Sequence, residues 1–375
     1  MKSILHIMRD EKVIDSFISM MESIYPDSSV YLVILSSDEP RLVKSRKDVV
    51  FLRKNTKELK QYLNNVSDFN HICLHSIGGE KYYSYIKHPS ISWVIWGADL
   101  YESYLTFKGY KLYDSLNEHY KVRAGRMPVI LYKCLTYLRD YRHYHSERNI
   151  INKLRYIITD NGCDYGVFKD YCPRSGITYL GTINYYPIEN LIGKDNLDKW
   201  CNGRAVWVGN SPAPNGNHIG VFQRLVNLPP DTPVYTPISY GDKRMIRYID
   251  IKGRKILGDR FHPLKDFMPS NEYYSIFLNA NSFIFGHYRQ CAVGNILMAL
   301  YFGGRVFLSN HNPLLAMYRK SGFVIFSIED DLNESLLSIP LSQEKRELNR
   351  KLVWGIASKD SSLNQIRNAY KRFME

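Results

Sequence analysis

The stretch Asn281-Ser-Phe-Ile-Phe-Gly-His-Tyr-Arg-Gln-Cys-Ala-Val-Gly-Asn-Ile-Leu-Met-Ala-Leu-Tyr-Phe-Gly-Gly-Arg-Val-Phe-Leu308 reads as strand, polar turn, helix and second strand. The apolar run ending at Phe285 gives way to Gly286-His287-Tyr288-Arg289-Gln290. Gly294 and Asn295 then open an apolar segment of helical length that stops at Gly303-Gly304. A turn of this kind stands where a parallel strand ends and a helix begins. Backbone N–H groups, the positive end of the helix and the Arg289 guanidinium can converge there on one phosphate. The sequence therefore points to a phosphate-bearing ligand.

Working outward, the same rhythm recurs on both sides, with short β-type runs alternating with amphipathic stretches, as in doubly wound α/β layers. Strands are expected at residues 4–8, 30–35, 49–52, 71–74, 91–95 and 156–158, with helices over 11–24 and 56–63. A second series is expected at 205–208, 234–238, 282–285, 305–308 and 324–328. The turn-rich residues 184–203 between the series read as a short ordered joint. The predicted fold class is α/β with two Rossmann-like domains, residues 1–184 and 204–360, followed by a helix within 361–375 that either caps the second domain or crosses back to the first.

The strand-end loops of the second half share one chemistry. Gly209-Asn210-Ser211 through Asn217-His218 is rich in Gly, Asn and Pro, and small residues let a ligand approach the backbone. Ser239-Tyr240-Gly241-Asp242 is another polar turn, with Asp242 suited to capping a helix. Each turn alone is ordinary loop chemistry. Three of them after successive strands meet along the carboxyl edge of one sheet, where open α/β sheets bind ligands.

Composition sets bounds on the partners. The chain has 375 residues, 45% of them hydrophobic, and a formal charge of +13, which favours a polyanionic partner: a membrane face, nucleic acid or a phosphorylated substrate. No helix-turn-helix, RNA-recognition or zinc-finger signature accompanies the charge, so nucleic acid has no reader here. The 6 cysteines form no Cys-x-x-Cys pair and no zinc spacing. With no secretory pattern at the start, a reducing cytoplasm is expected. No apolar run approaches the roughly 20 residues that span a bilayer, so any membrane attachment is expected to be peripheral. There is no Asp-x-Asp motif to hold a sugar diphosphate through a divalent metal, and no P-loop. Leaving-group charge would then fall to N–H groups, helix ends and cationic side chains, with no metal and no cofactor.

Six separated motifs carry a resemblance: His6-Ile-Met-Arg-Asp-Glu-Lys12; Trp96-Gly-Ala-Asp-Leu-Tyr101; Val208-Gly-Asn-Ser211 with Asn217-His218; Ile238-Ser-Tyr-Gly-Asp242; Phe267-Met-Pro269; and His287-Tyr-Arg-Gln-Cys-Ala-Val-Gly-Asn-Ile296. Together, over about residues 4 to 330, the chain resembles the 4-acetamido-4,6-dideoxygalactose (N-acetylfucosamine) transferases of enterobacterial common antigen synthesis, glycosyltransferase family 56. The resemblance implies a GT-B fold, a dTDP-activated amino-sugar donor and an undecaprenyl-diphosphate-linked saccharide acceptor at the cytoplasmic face of the inner membrane, in enterobacterial common antigen or O-antigen synthesis.

On that reading Arg289 neutralises the diphosphate, the alternative being a surface ion pair, and His287 and Gln290 hydrogen-bond the diphosphate or the sugar, the alternative being that His287, beside a strand end, is a satisfied structural residue. Gly209, Asn210, Ser211, Asn217, Gly241, Asp242 and Gly294 line the donor site. Asn295 either donates to phosphate or caps its helix. Tyr240 either stacks on the base or sugar or packs internally. Glu329 either accepts from ribose hydroxyls or belongs to a solvated acidic loop with Asp330 and Asp331. The candidate general bases are Asp10 and Glu11, after the first strand, and Asp99 in the Trp-Gly-Ala-Asp turn. Asp10 also stands where a helix cap belongs, and a retaining reaction needs no separate base.

Residues 101–156 carry eleven Lys or Arg against five Asp or Glu, interleaved with Tyr, and Met127–Leu138 adds apolar side chains. That mixture suits an anionic lipid surface, or else a solvated helix with its apolar side packed internally. Two other readings stand beside the transferase: a related enzyme on another nucleotide sugar, including an epimerase, and a non-catalytic basic protein binding membrane or nucleic acid.

Overall fold

The computed structural model describes residues 3–337 and 339–374. Among the described residues thirteen strands form two sheets, every strand pair parallel. The first contains β1 (Ile4–Arg9), β2 (Ser29–Leu35), β3 (Val49–Arg53), β4 (His71–His75), β5 (Ile91–Ile95), β6 (Tyr156–Thr159) and β7 (Thr178–Thr182), in the order β3-β2-β1-β4-β5-β6-β7. The second contains β8 (Ala205–Val208), β9 (Val234–Pro237), β10 (Phe261–Leu264), β11 (Ala280–Phe285), β12 (Arg305–Leu308) and β13 (Phe326–Ser327), in the order β10-β9-β8-β11-β12-β13. Each sheet therefore reverses its winding once, between β1 and β4 and between β8 and β11. Those reversals are the crevices where doubly wound sheets take ligands.

The central strands are buried on both faces, which is why they read as continuous apolar runs. One core gathers Phe17, Met21, Tyr31, Val33, Val94 and Ile158 in the first unit. Another gathers Val208, Phe222, Leu225, Ile249, Ile284 and Phe307 in the second. Side chains of this size contribute about 1.5–3 kcal/mol each on full burial.

The chain divides into two compact units. Unit 1 comprises residues 1–110, 137–187 and 357–375, and unit 2 comprises 111–136 and 188–356. This differs in two places from the division at 184 and 204 expected from the sequence, and of the two placements left open for the C-terminal helix it takes the return to the first unit. Residues 111–136 lie in unit 2, where the Asn117 amide donates to Pro214 O at 2.6 Å and Tyr248 donates to Glu118 at 3.0 Å. The segment expected as a joint carries the helix Ile188–Ile192 and packs on unit 2, with Arg346 donating to Cys201 O at 2.7 Å. The C-terminal helix Lys359–Tyr370 buries Ile366, Ala369 and Tyr370 in the core of unit 1.

Three elements also differ in extent. The first helix starts at Ile14, three residues later than expected, and Val13 caps it without a side-chain hydrogen bond. The strand expected over 324–328 shortens to β13, and the edge strands β7 and β10 were not anticipated. An edge strand buries little, so polar Thr178-Tyr-Leu-Gly-Thr182 and the Pro263-containing β10 leave no apolar run to recognise. Side-chain caps form at Thr56, which accepts from Leu59 N, at Asn312, from Leu314 N, and at Ser358, from Ser361 N.

Candidate functional site

In unit 2 the loops after β8 and β11 flank the crevice. Gly209, at φ 73°, turns the chain directly after β8, and Trp207 Nε1 donates to its carbonyl at 2.8 Å. A Cβ at Gly209 would stand 2.6 Å from His218 Nε2, and one at Gly216 would stand 2.5 Å from His218 Cε1. Two glycines thus make the seat of the His218 imidazole. That ring is buried and held neutral: burial first, and the nearby His287 second, lower its pKa to about 3. Its Nε2 has no hydrogen-bond partner among the described residues.

Asn217 ties the two loops together. Its backbone is left-handed at φ 49°. Its Oδ1 accepts from Asp114 N at 3.2 Å and from Asn117 Nδ2 at 3.0 Å, while its Nδ2 donates to Leu112 O at 3.3 Å and to Gly286 O at 2.9 Å. Both ends of the amide are used, so Asn217 holds the loops in place. Gly286 must lack a side chain because a Cβ there would meet Gly216 O at 2.7 Å.

The β11 loop carries His287, Arg289 and Gln290, all buried. Arg289 Nη1 donates to Gln290 O at 2.5 Å. Ala292, left-handed at φ 59°, leads into the helix Val293–Tyr301, whose first turn contains Gly294 and Asn295. Asn295 Nδ2 donates to Tyr273 Oη at 3.0 Å, so its side chain braces the neighbouring helix and does not cap its own.

After β9, Tyr240 is 63% exposed, which excludes the core-packing alternative. Partial burial, with Cys291 nearby, raises its pKa, and Ser211 opposes that rise, so Tyr240 stands by the β8 and β11 loops. Gly241, at φ 114°, packs where a Cβ would lie 3.2 Å from Pro212 Cγ. Asp242 caps the helix Lys243–Leu257 by accepting from Arg244 N at 2.8 Å and pairs with Arg123 at 3.4 Å. Asn210 and Ser211 lie in the β8 loop, and Asn210 Oδ1 is buried without a partner among the described residues. Glu329, after β13, accepts from Ser309 Oγ and from Asn310 N, both at 2.7 Å, and so secures the loop after β12.

In unit 1 the three candidate bases differ sharply. Asp10 accepts from the backbone N–H groups of Arg41, Leu42 and Val43 at 2.6, 3.1 and 2.8 Å, holding a distant loop instead of capping the first helix. Asp99 is buried and accepts from Trp93 Nε1 at 2.6 Å, Trp96 N at 3.0 Å and Ile77 N at 3.1 Å, joining the ends of β4 and β5. Burial raises its pKa, and the three donors oppose that rise. Glu11 is exposed. Arg9, which the sequence did not single out, ends β1 at the unit 1 crevice. It approaches Gly78, where a Cβ would stand 2.5 Å from Nη2, and pairs with Glu80 at 3.7 Å. Its signal was its place, a cation closing the first strand at the reversal of winding.

A groove of 740 Å³ also opens in unit 1, lined by Tyr104, Lys108, Arg155, Tyr171 and Arg174. It lies at the amino-terminal ends of β6 and β7. Its size is a poorer guide to chemistry than the strand-end loops. Two groupings of potential metal ligands occur among the described residues, His6-Cys73-His75 and Glu22-Asp27-Asp48, both in unit 1. The first is a closed polar network in the core: His6 Nδ1 and His75 Nε2 share a hydrogen bond of 2.9 Å, Tyr370 Oη lies 3.2 Å from Cys73 Sγ, and Tyr185 bonds the other side of His75.

No known family model matches the sequence. The structure is similar along its whole length to solved glycosyltransferases. A glycosyltransferase from Rickettsia africae matches with a TM-score of 0.64 at 10% identity, covering 100% of this chain and 98% of the other. The lipopolysaccharide outer core galactosyltransferase WaaB matches with a TM-score of 0.62 at 12% identity, covering 99% of each. HepE of Anabaena, solved with UDP and glucose, matches with a TM-score of 0.55 at 12% identity, covering 100% of this chain and 95% of the other. With both sheets parallel and each wound in two directions, the chain has the GT-B fold, built from two Rossmann-like α/β domains.

Proposed function

We propose that this protein is a metal-independent glycosyltransferase that takes its sugar from a nucleoside diphosphate. The observation that carries the reading is the convergence of the β8 and β11 loops on the unit 2 crevice. Glycines open the backbone there, Asn217 locks the loops together, His287, Arg289 and Gln290 follow one another closely in the β11 loop, and His218 of the β8 loop lies near enough to His287 to feel its charge. As the bond to the anomeric carbon breaks, negative charge develops on the departing diphosphate. Arg289 and the N–H groups at the start of the helix Val293–Tyr301 are the groups that meet it. The buried imidazoles of His218 and His287 present fixed dipoles, and exposed Tyr240 offers a flat face for the base or the sugar.

The donor we assign is a dTDP-linked 4-acetamido-4,6-dideoxyhexose of the N-acetylfucosamine type. The acceptor is a polyprenyl-diphosphate-linked saccharide at an anionic membrane face, as in enterobacterial common antigen or O-antigen synthesis. The motif resemblance supports these finer assignments, and HepE with UDP and glucose supports the class of donor. A related transferase on another nucleotide sugar uses the same loops. Among the candidate bases, hydrogen bonding favours Glu11, because the carboxylates of Asp10 and Asp99 each already accept from three N–H groups.

Calorimetry with dTDP and with UDP, first without metal and then with magnesium, tests the reading. Metal-independent binding of dTDP that weakens in Arg289→Ala supports it. No binding of either nucleotide overturns it and leaves the non-catalytic alternative.

A further inference from the structure

The helix Val129–Ile151 presents its apolar side chains outward. Ile130 is 79% exposed, Tyr137 60% and Leu138 54%, and Leu131, Leu135 and Tyr141 are exposed with them. At about 100° per residue these six fall within an arc of roughly 160°, one face of the first three turns. Met127, just before the helix, and Cys134 within it are exposed as well. The opposite side does the packing, with Val129, Tyr132, Thr136 and Tyr144 partly covered and Glu147 buried. A soluble helix turns its charged side to water. This one turns out leucine, isoleucine and tyrosine, and a contiguous exposed patch of that kind marks an interaction surface.

The rim of the patch selects the partner. Lys133 borders one edge of the arc, over the Tyr120 ring at 5.2 Å, Arg139 borders the other, Arg142 stands among the apolar side chains toward the C-terminal end, and Arg126 just precedes the helix, all exposed. Of these, Arg139 is paired with the neighbouring Asp140 at 2.6 Å. Apolar side chains flanked by cations and tyrosines match an anionic bilayer: the apolar face enters the acyl boundary, tyrosines sit at headgroup level, and cations meet lipid phosphates.

We propose that the outward face of Val129–Ile151, centred on Ile130, Leu131, Leu135 and Leu138, is the element that docks this protein on an anionic lipid bilayer. The inference deepens the membrane-face part of the proposed function. Its test uses lipid binding alone, without sugar donor or acceptor, so its failure is separate from failure of the transferase reading.

The full chain is floated with vesicles of phosphatidylcholine and with vesicles of phosphatidylcholine mixed with phosphatidylglycerol. Wild type is expected on the mixed vesicles and not on phosphatidylcholine alone, with binding falling as salt rises. Leu131→Glu with Leu135→Glu, and separately Lys133→Gln with Arg142→Gln, are each expected to weaken binding by at least about tenfold, since each cation near the surface is worth roughly 1 kcal/mol. All four positions are exposed, so circular dichroism and the melting temperature should match wild type. Failure of wild type to float with the mixed vesicles, or unchanged binding by both variants, overturns the proposal. A wild-type dimer in light scattering that Leu131→Glu with Leu135→Glu turns into a monomer also overturns it, in favour of a second copy of the chain as the occupant.

Discussion

Asp10, Asp99 and Glu11 are acidic residues at strand ends, and only their hydrogen bonds separate their roles. Asp99→Asn keeps the shape but turns an acceptor into a donor facing Trp93, Ile77 or Trp96 inside the core. Leaving a buried donor unmatched costs about 1–3 kcal/mol, so the melting temperature of Asp99→Asn should fall along with any activity. Glu11→Gln makes the opposite prediction: an unchanged melting temperature and a turnover lower by about 10²–10⁴, the usual contribution of a general base. Full turnover in Glu11→Gln would remove it as the base and favour a retaining reaction. Arg289→Ala should weaken dTDP binding by about ten- to a hundredfold, the worth of a charge-assisted hydrogen bond, while Arg289→Lys should recover part of it. Equal affinity in wild type and Arg289→Ala would sink the diphosphate assignment.

At the scale of elements, Gly253 poses a contest between two effects of opposite sign. It lies inside the helix Lys243–Leu257, where alanine would improve helix propensity by about 1 kcal/mol. Yet a Cβ there would stand 2.4 Å from the Phe261 ring, which is itself buried and packed edge-on to Phe222 at 5.4 Å. Overpacking a core typically costs about 1–3 kcal/mol, so Gly253→Ala should lower the melting temperature despite the better helix former. A rise would mean that the Phe261 ring shifts freely. Much of the architecture was legible because central parallel strands are short, buried along their length and built on apolar runs. That is why β4, β5, β8, β11 and β12 fall within a residue or two of their expected places. The apolar side chains of Met127–Leu138 were legible, but not which way they turn, because apolar residues occur on both sides of the helix Val129–Ile151 and cancel the periodicity. The site loops were legible as polar turns after strands. The work of Asn217, Glu329 and Asp10 was not, because their partners lie on distant segments that only the folded chain brings near.

Across the whole molecule, buried imidazoles tie stability to pH. Burial lowers the pKa of His75 to about 3, and His6 and His71 lie well below the ordinary value; all three are in unit 1. In unit 2 burial lowers His218 to about 3 and His119 to about 4. An unfolded chain protonates these rings near pH 6.5 while the folded chain does not, so below that pH the unfolded state binds more protons. Stability is therefore fully present above about pH 6.5 and is lost as pH falls, by roughly 1.4 kcal/mol per pH unit for each such ring. Three wholly or partly buried carboxyls act in the opposite sense. Burial raises the pKa of Asp99, Asp114 and Asp160, the last also through Asp164, so the folded state holds protons that the unfolded state releases. Five rings lose stability on acidification against three carboxyls that gain it, and the larger number of rings leaves a net loss. The melting temperature should hold steady from pH 8 to about 7 and fall steeply by about pH 5. His218→Gln should flatten that fall without touching the contribution of the unit 1 histidines, whereas a melting temperature that rises on acidification would show that the carboxyls dominate.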